Sequence, residues 1–527
     1  MVRVLFLILA PIIVLLTGIA AWFWPPTIYM FVLVVVLAVL GYADLFQRTH
    51  TIRRNFPIIG RLRYMLEAIR PEIQQYFIES DTNGQPFSRE QRSIVYQRAK
   101  ATRDTVAFGT KHNVYASGYE WIGHSLAPLH APEQPPRILI GGPDCRRPYS
   151  ASLLNISAMS YGSLSTAAIL ALNGGAKDGG FAHNTGEGGV SPYHLEPGGD
   201  LIWQLGTGYF GCRDADGNFD ADKFSETATR DQIKMIEIKL SQGAKPGHGG
   251  ILPASKLTKE IARIRGVPMG HDVLSPPGHS SFDTPVGLLR FVARVRELCG
   301  GKPVGFKLCV GRPVDVMAVC KAMLATGITP DFITVDGAEG GTGAAPLEFT
   351  NAVGYPLLDG LTLVHNCLVG VGLRDRIKII ASGRVIDGFD MAVRIALGAD
   401  LCNSARGMMF ALGCIQALRC NTNECPAGVA TQDPRLIRGL DVADKRTRVA
   451  NFHGNTVRHF LELLAAAGCT APEQLCREMI HRRFDDATIN TYADLYPELA
   501  SGALLADEPP ARYAADWARA SAERFNP

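Results

Sequence analysis

Between residues 150 and 425, short apolar runs alternate with amphipathic stretches, and that alternation admits few folds. A strand followed by a helix, repeated in one direction, builds βα units around a parallel sheet, because parallel strands need a long crossover. Leu153-Leu154-Asn155-Ile156-Ser157-Ala158 reads as a strand, and Thr166 to Ala176 as the helix after it. Val304-Gly305-Phe306-Lys307-Leu308 precedes a helix over Val314 to Ala325, and Phe332-Ile333-Thr334-Val335 ends at Asp336-Gly337. Ile377 to Ala381 leads to a helix from Gly388 to Leu397, and Leu401-Cys402-Asn403 closes the series. Polar residues or glycine fall just past each strand, where a closed barrel gathers its chemistry. The expected fold class is α/β, a (β/α)8 TIM barrel; an open doubly wound sheet satisfies the same alternation and differs in closure. No Gly-x-Gly-x-x-Gly opens a helix with an acidic residue about 20 positions on, so NAD(P)H is not expected to bind.

The amino terminus is different in kind. Val4 to Trp24 is apolar without a charge, Pro25-Pro26 follows, and Thr27 to Ala43 is apolar again. Each run approaches the roughly 20 residues that cross a bilayer. A signal peptide would have a shorter apolar region and a small-residue cleavage site, whereas here a second apolar run follows. The expectation is a transmembrane helical hairpin over 1–45. Arg3 precedes it, and Arg48, Arg53, Arg54, Arg61 and Arg63 come after it. The positive-inside rule then puts both flanks in the cytoplasm, with the hairpin in the inner (cell) membrane. Residues 46–149 are expected to form a helical connecting subdomain, 150–435 the barrel, and 436–527 a C-terminal helical extension with an amphipathic helix near Val449 to Ala467. A net charge of +3 on 527 residues is too small for a nucleic-acid surface, so no such partner is expected.

Twelve cysteines are spread along the chain, and only Cys414, Cys420 and Cys425 crowd together, in GCIQALRCNTNECPAGVATQ. This is not the dense pattern of a small disulfide-stapled domain, and reduced thiols are expected. Three thiolates so close, followed by a turning Pro426, can reach around one inorganic cluster. Zinc normally wants a fourth ligand in paired spacing, and His453 is about thirty residues away. Three ligands point to a [3Fe-4S] cluster, with free structural cysteines as the alternative. Lys307 stands within an apolar run, an unusual place for a charge unless it meets an anion or snorkels from a strand end. Asp336-Gly337, Gly340-Gly341-Thr342-Gly343, Ser382-Gly383-Arg384 and Asn403-Ser404-Ala405-Arg406-Gly407 offer backbone donors to a phosphate at the late strands, although any one could be an ordinary turn.

The cysteine segment, GCxxxxxCxTNxCPxGVATQ, resembles the cluster segment of glutamate synthases. NISAMSYGSLS, NTGEGG, QGAKPGHGG, DGAEGGTGAAP and ASGR extend the resemblance over roughly 150 to 435, in that family's order. The chain looks closest to the short form that lacks the amidotransferase domain. The resemblance implies an FMN-binding barrel and a [3Fe-4S] cluster held by Cys414, Cys420 and Cys425. It places FMN against Ser157, Ala158 and Met159, with Lys307 beside the flavin, where an ammonium would stabilise the reduced form. Asp336, Gly337, Gly341, Thr342, Gly343, Ser382, Gly383, Arg384, Asn403, Ala405 and Arg406 would complete the cofactor site. Glu187, Thr207, Lys245 and Arg265 would contact substrate, with Lys245 and Arg265 as carboxylate anchors.

The implied activity is reductive amination of 2-oxoglutarate to L-glutamate by hydride from reduced FMN. Electrons would enter through the cluster from ferredoxin or a separate reductase, and ammonia would come from solution or a partner that supplies it. Glu187, Lys245 and Lys307 are the catalytic candidates, Glu187 accepting a hydrogen bond from the imine nitrogen. Two departures stand out. The large enzymes have Gln where this chain has Ile251 and Glu where it has His248, and SPPGHSSFDT at 275–284 replaces SPPPHHDIYS. For His248, His271 and His279, stabilising a loop is as good a reading as donating a proton. Three other readings stay open: a related FMN and iron–sulfur oxidoreductase acting on another oxo acid or amine, such as an N-substituted glutamate; a membrane-linked electron-transfer module; and a non-catalytic membrane scaffold that kept the barrel.

Overall fold

The computed structural model describes residues 2–102 and 104–526; Met1 and Pro527, the ends of the expected hairpin and extension, lie outside the described residues. The chain divides into two compact units, Met1–Arg89 and Glu90–Pro527.

In the first unit, helices α1 (Val2–Phe23) and α2 (Ile28–Phe46) are joined by a tight turn at Pro25–Thr27. Both are built from Leu, Ile, Val and Ala without a charge in mid-run. They are long and apolar enough to cross a membrane, and only 11% and 17% of their apolar windows are buried, so their side chains mostly face outward. They touch through Phe6, whose ring lies over Gly41 and edge-on to Tyr42 at 5.6 Å. Two shorter helices follow, α3 (Thr51–Asn55) and α4 (Gly60–Ile73), and a wider turn over Gln74–Ile78 continues α4. Near the end of α2, Asp44 accepts from Ile58 N at 3.1 Å and from Arg61 Nε at 2.8 and 3.0 Å.

The second unit is a closed eight-stranded parallel barrel. Its strands are β1 (Leu154–Ile156), β2 (His183–Asn184), β3 (Leu201–Leu205), β4 (Ile233–Lys239), β5 (Val304–Cys309), β6 (Phe332–Asp336), β7 (Lys378–Ser382) and β8 (Leu401–Ser404). Each pairs with the next, and β8 pairs with β1. The barrel interior has a polar centre: Glu237 of β4 accepts from Asn184 Nδ2 at 2.8 Å, Gln204 Nε2 at 2.6 Å and Thr334 Oγ1 at 2.7 Å. Three donors satisfy one buried carboxylate and stitch β2, β3, β4 and β6 together.

The helix Thr166–Gly179 starts at Ser165, whose side chain accepts from Ala168 N, and ends at Gly180 in the left-handed region. The 25-residue helix Val442–Ala466 lies along it. Their approach requires glycine, because a Cβ at Gly175 would come 2.6 Å from Val449 Cγ1. The flanks, expected to be helical, also carry short strands. Glu120–Ile122 pairs antiparallel with Ile480–Arg483, which pairs in turn with Ile489–Thr491. Trp121 stacks on His481 across that sheet at 5.4 Å. Strands of three or four mostly polar residues leave no readable period.

Candidate active site

Most of the expected site residues fall at the carboxyl ends of the barrel strands or in the loops that follow, while Arg265 ends a helix and Arg406 begins one. Register places Asp336, Ser382 and Asn403 in one row across β6, β7 and β8, with Asn155 of β1 next in line. At this row the Ser157 and Ser382 hydroxyls are 3.2 Å apart. Ser157 N donates to Ser404 O, and Gly337 N donates to Ser382 O. Lys307 on β5 is not a solitary charge: its ammonium lies 3.2 Å from Asp336 Oδ2, which also accepts from Gly243 N. Burial alone would push this ammonium down, but Asp336, with Glu237 behind it, outweighs burial and holds it above its ordinary value.

Three observations in this half suit a phosphorylated ring system. Among the described residues, the Asn403 Oδ1 is buried without a hydrogen-bond partner. Burial lowers the Arg406 guanidinium to about 10, and Arg384 adds like-charge repulsion, an arrangement that an intervening anion relieves. Gly341 lies against Arg406, which donates to Glu339 O at 2.6 Å, and Arg384 itself adopts a left-handed backbone, φ 51. Thr342 Oγ1 donates to Ala344 O, while Gly343 has open space around it. Ala405 leads into the helix Arg406–Ala411, and Ala158 and Met159 follow Ser157 at the mouth of β1.

The other half of the site is a buried charge cluster. Glu187, in the loop after β2, meets Lys239 Nζ at 2.7 Å, and Ser275 Oγ donates to its other oxygen at 3.4 Å. Burial would push this carboxyl up; Lys239, then Lys245 and Arg265, outweigh it and hold it below its ordinary value. Lys245 donates to Ala344 O at 2.9 Å, and burial, reinforced by Lys239, brings its amine down to about 8. Arg265 ends the helix Lys259–Arg265, donates to Tyr161 O at 3.2 Å and lies 5.1 Å over the Phe210 ring. Its Nε has no partner among the described residues, and burial lowers the guanidinium to about 10. Lys239, Lys245 and Arg265 are 6%, 3% and 4% exposed, so three buried cations surround one carboxylate. Room for that carboxylate depends on Gly206 and Gly250: a Cβ at Gly206 would come 2.6 Å from Glu187, and one at Gly250 would strike Oε1.

Thr207 sits beside the cluster, its hydroxyl donating to Pro276 O at 2.6 Å. The altered segment 275–284 forms the wall there. His279 bridges the Tyr209 hydroxyl and Lys239 O, each at 2.9 Å, and burial drives its pKa down to about 4, so it is a neutral, position-fixing ring. His248 packs edge-on against Phe349 at 5.2 Å, and Ile251 begins a two-residue strand against Val273–Leu274.

Sequence reasoning missed Lys239. It closes the run Ile233–Lys239 and is the register partner of Lys307 on β5. The two lysines stand side by side, one answering Glu187 and the other Asp336. No lone charge marked it in the sequence, since Lys234 and Glu237 stand in the same run.

Cys414, Cys420 and Cys425 lie in a loop beyond the helix Arg406–Ala411, wound by left-handed residues at Gln416, Leu418 and Asn423. All three are free thiols. Burial raises the Cys414 thiol to about 12, and Cys420 and Cys425 add to the rise, so the three sulfurs sense one another. Among the described residues no group of three His, Cys, Asp or Glu side chains is closed up enough to hold a metal ion. The buried Lys256 ammonium reaches this loop, donating to Ser163 O at 2.7 Å and to Cys420 O at 3.0 Å.

A sequence profile described as "Conserved region in glutamate synthase" matches residues 141–470. The glutamate synthase large subunit-like protein YerD of Bacillus subtilis is 39% identical over 87% of this chain and 94% of its own length. The archaeal glutamate synthase [NADPH] of Methanocaldococcus jannaschii is 38% identical over 61% of this chain, which spans 60% of that relative. Among solved structures, a mutant flavocytochrome b2 with pyruvate bound is similar at 11% identity and a TM-score of 0.42, covering 79% of this chain and 85% of that one.

Proposed function

Because the chain belongs to the glutamate synthase family, we propose that it is a membrane-anchored synthase that aminates 2-oxoglutarate reductively to L-glutamate. The observation that carries this reading is the charge imbalance at Glu187: three buried cations against one carboxylate leave an excess of two positive charges, matched by a dicarboxylate. Buried charges without partners are costly, so the arrangement favours a dianionic ligand. FMN bound along the Ser157, Asp336, Ser382 and Asn403 row would supply hydride, and a [3Fe-4S] cluster on Cys414, Cys420 and Cys425 would supply electrons singly, from ferredoxin or a separate reductase.

The chain's own residues then have distinct tasks. Arg265 and Lys245 hold the two carboxylates, Arg265 through the Nε that has no partner among the described residues. Lys239 keeps Glu187 ionised, so its carboxylate accepts a hydrogen bond from the nitrogen that replaces the oxo oxygen. The same burial excludes water from the carbon being reduced. Lys307 and Asp336 form a fixed dipole at the flavin side of the barrel, the ammonium favouring the reduced ring. Ammonia comes from solution or a partner. The apolar, outward-facing α1 and α2 support an anchor, and Arg3 and the arginines after α2 support a cytoplasmic placement of both flanks.

A second reading, an FMN and iron–sulfur oxidoreductase taking another oxo acid or an N-substituted glutamate, rests on the departure at Ile251, the residue that follows Gly250, whose backbone abuts Glu187. One assay separates the two. Purified full-length protein is given reduced ferredoxin, an ammonia donor and 2-oxoglutarate, then a panel of oxo acids and alkylamines. Glutamate formation with reoxidation of the flavin is expected; flavin that stays reduced with 2-oxoglutarate but reoxidises with another member of the panel overturns the primary reading.

A further inference from the structure

We propose that α4 is an in-plane membrane helix, lying with one face in the headgroup layer of the bilayer that α1 and α2 cross; the inference rests on that anchor. The face is defined by Leu62, Met65, Leu66, Ile69 and Ile73, spaced i, i+3, i+4, i+7 and i+11, which gathers them within about 100° of the helix circumference. Leu62, Met65, Leu66 and Ile69 are 51%, 54%, 48% and 43% exposed, and Phe77, in the turn that continues the helix, is 84% exposed. A contiguous apolar stripe left open to water is uncommon on a soluble surface and marks a face that is covered in use. Arg63, Glu67 and Arg70 run along the polar side, and an apolar face flanked by arginine is the composition of a helix that lies on anionic lipid.

What covers the stripe follows from its connection to the hairpin. Asp44 is two residues from the end of α2, and its carboxylate is tied to Arg61 Nε at 2.8 and 3.0 Å and to Ile58 N at 3.1 Å. The first turn of α4 is thereby held at the level where the apolar span of α2 stops, which is the bilayer surface. A second tie, Arg53 stacked 4.6 Å over the Tyr64 ring, fixes α3 against α4. A helix that begins at the surface with an unpaired apolar face has lipid as its nearest apolar neighbour.

The test uses full-length protein in phosphatidylcholine–phosphatidylglycerol vesicles containing a lipid with a photoactivatable diazirine near the headgroup, with labelled positions read by mass spectrometry. Labelling of Leu62, Met65 and Ile69 about fivefold above the helix Val442–Ala466 is expected, with Glu67 unlabelled. The double variant Leu66→Glu/Ile69→Glu should lower α4 labelling several-fold while α1 and α2 remain labelled. Labelled α1 and α2 with α4 at the control level overturns the inference while leaving the anchor intact. Crosslinks from α4 to a second polypeptide overturn it in favour of a protein partner. Unlabelled α1 and α2, with the protein released by alkaline carbonate, overturns the anchor and the inference together.

Discussion

Replacing Lys245 by Met should make the ligand-free protein more stable at neutral pH and its dicarboxylate binding weaker. The amine falls from an ordinary 10.5 to about 8, because burial penalises its charged form and Lys239 repels it. That fall corresponds to about 3 kcal/mol of destabilisation carried by the charged ammonium in the folded state. Against it, Met removes the hydrogen bond to Ala344 O, worth about 1 kcal/mol. The difference leaves the variant about 2 kcal/mol more stable at pH 7, or about 2 °C in the midpoint for a barrel of this size. The sign follows from linkage: a lysine whose folded pKa is depressed costs stability fully below about 8, and the cost fades as pH rises towards 10.5. By about pH 9.5 the lost hydrogen bond and the residual gain should cancel. Thermal unfolding of the full chain in detergent at both pH values, in buffers free of carboxylates, reads this directly. The same variant should bind 2-oxoglutarate about tenfold to a hundredfold more weakly, from the loss of one charge-assisted contact, as judged by reoxidation of reduced flavin. A Met variant that is less stable at pH 7, or binds the dicarboxylate unchanged, would refute the charge-imbalance reasoning at its source.

Three further outcomes follow from the geometry. Lys307→Met removes the ammonium 3.2 Å from Asp336 and should lower the flavin midpoint potential by tens of millivolts in spectroelectrochemical titration; an unchanged potential places the flavin elsewhere. Cys414→Ala, Cys420→Ala and Cys425→Ala together should reduce bound iron to background while the yellow flavin colour persists, and retained iron would show other ligands. Acid should destabilise the barrel early: burial depresses His279 to about 4 and His194 and His453 to about 3, and His183 falls well below its ordinary 6.5. Histidines with depressed folded pKa favour the folded state fully above 6.5 and lose that contribution as pH falls, so His279→Gln should recover about 3 kcal/mol of the loss by pH 4 in denaturant titrations.

The strands legible in the sequence were those whose apolar run is broken by at most one polar or charged residue. Phe332-Ile333-Thr334-Val335 and Leu401-Cys402-Asn403 announce themselves, as do the glycine loops after them. β2, β3 and β4 did not, because the barrel keeps its polar centre there: Asn184, Gln204 and Glu237 interrupt the apolar runs in order to satisfy one another. A two-residue strand, His183-Asn184, has no period to read at all. Lys239 was missed for a related reason, since its partner Glu187 lies 52 residues upstream and only the closed barrel brings them together. The flanking strands around Trp121 and His481 are likewise long-range pairings between short polar segments. For the cysteines, spacing was legible, whereas the buried ammonium tied to their loop, Lys256, comes from a distant segment.

One segment links the three candidate centres. Ser157 meets Ser382 on the cofactor side, and Tyr161 O accepts from Arg265 in the charge cluster. At its far end, Ser165 Oγ donates to Gly428 O at 2.7 Å, Gln432 Nε2 donates to Gly162 O and Leu164 O, and Lys256 holds Ser163 O. The cysteine loop is therefore fastened to the same nine residues that reach the proposed cofactor row and hold Arg265, the proposed substrate anchor. A substitution that loosens only the far end tests whether that link matters. Gln432→Ala removes two side-chain hydrogen bonds without touching a cysteine, Arg265 or Ser157. If the segment sets the spacing between centres, the variant should keep its iron and flavin, bind 2-oxoglutarate normally, and pass electrons from ferredoxin to flavin more slowly in stopped-flow absorbance. Equal transfer rates in variant and wild type would mean that each centre is positioned by its own loop, and that Ser157–Ser165 is only a shared wall.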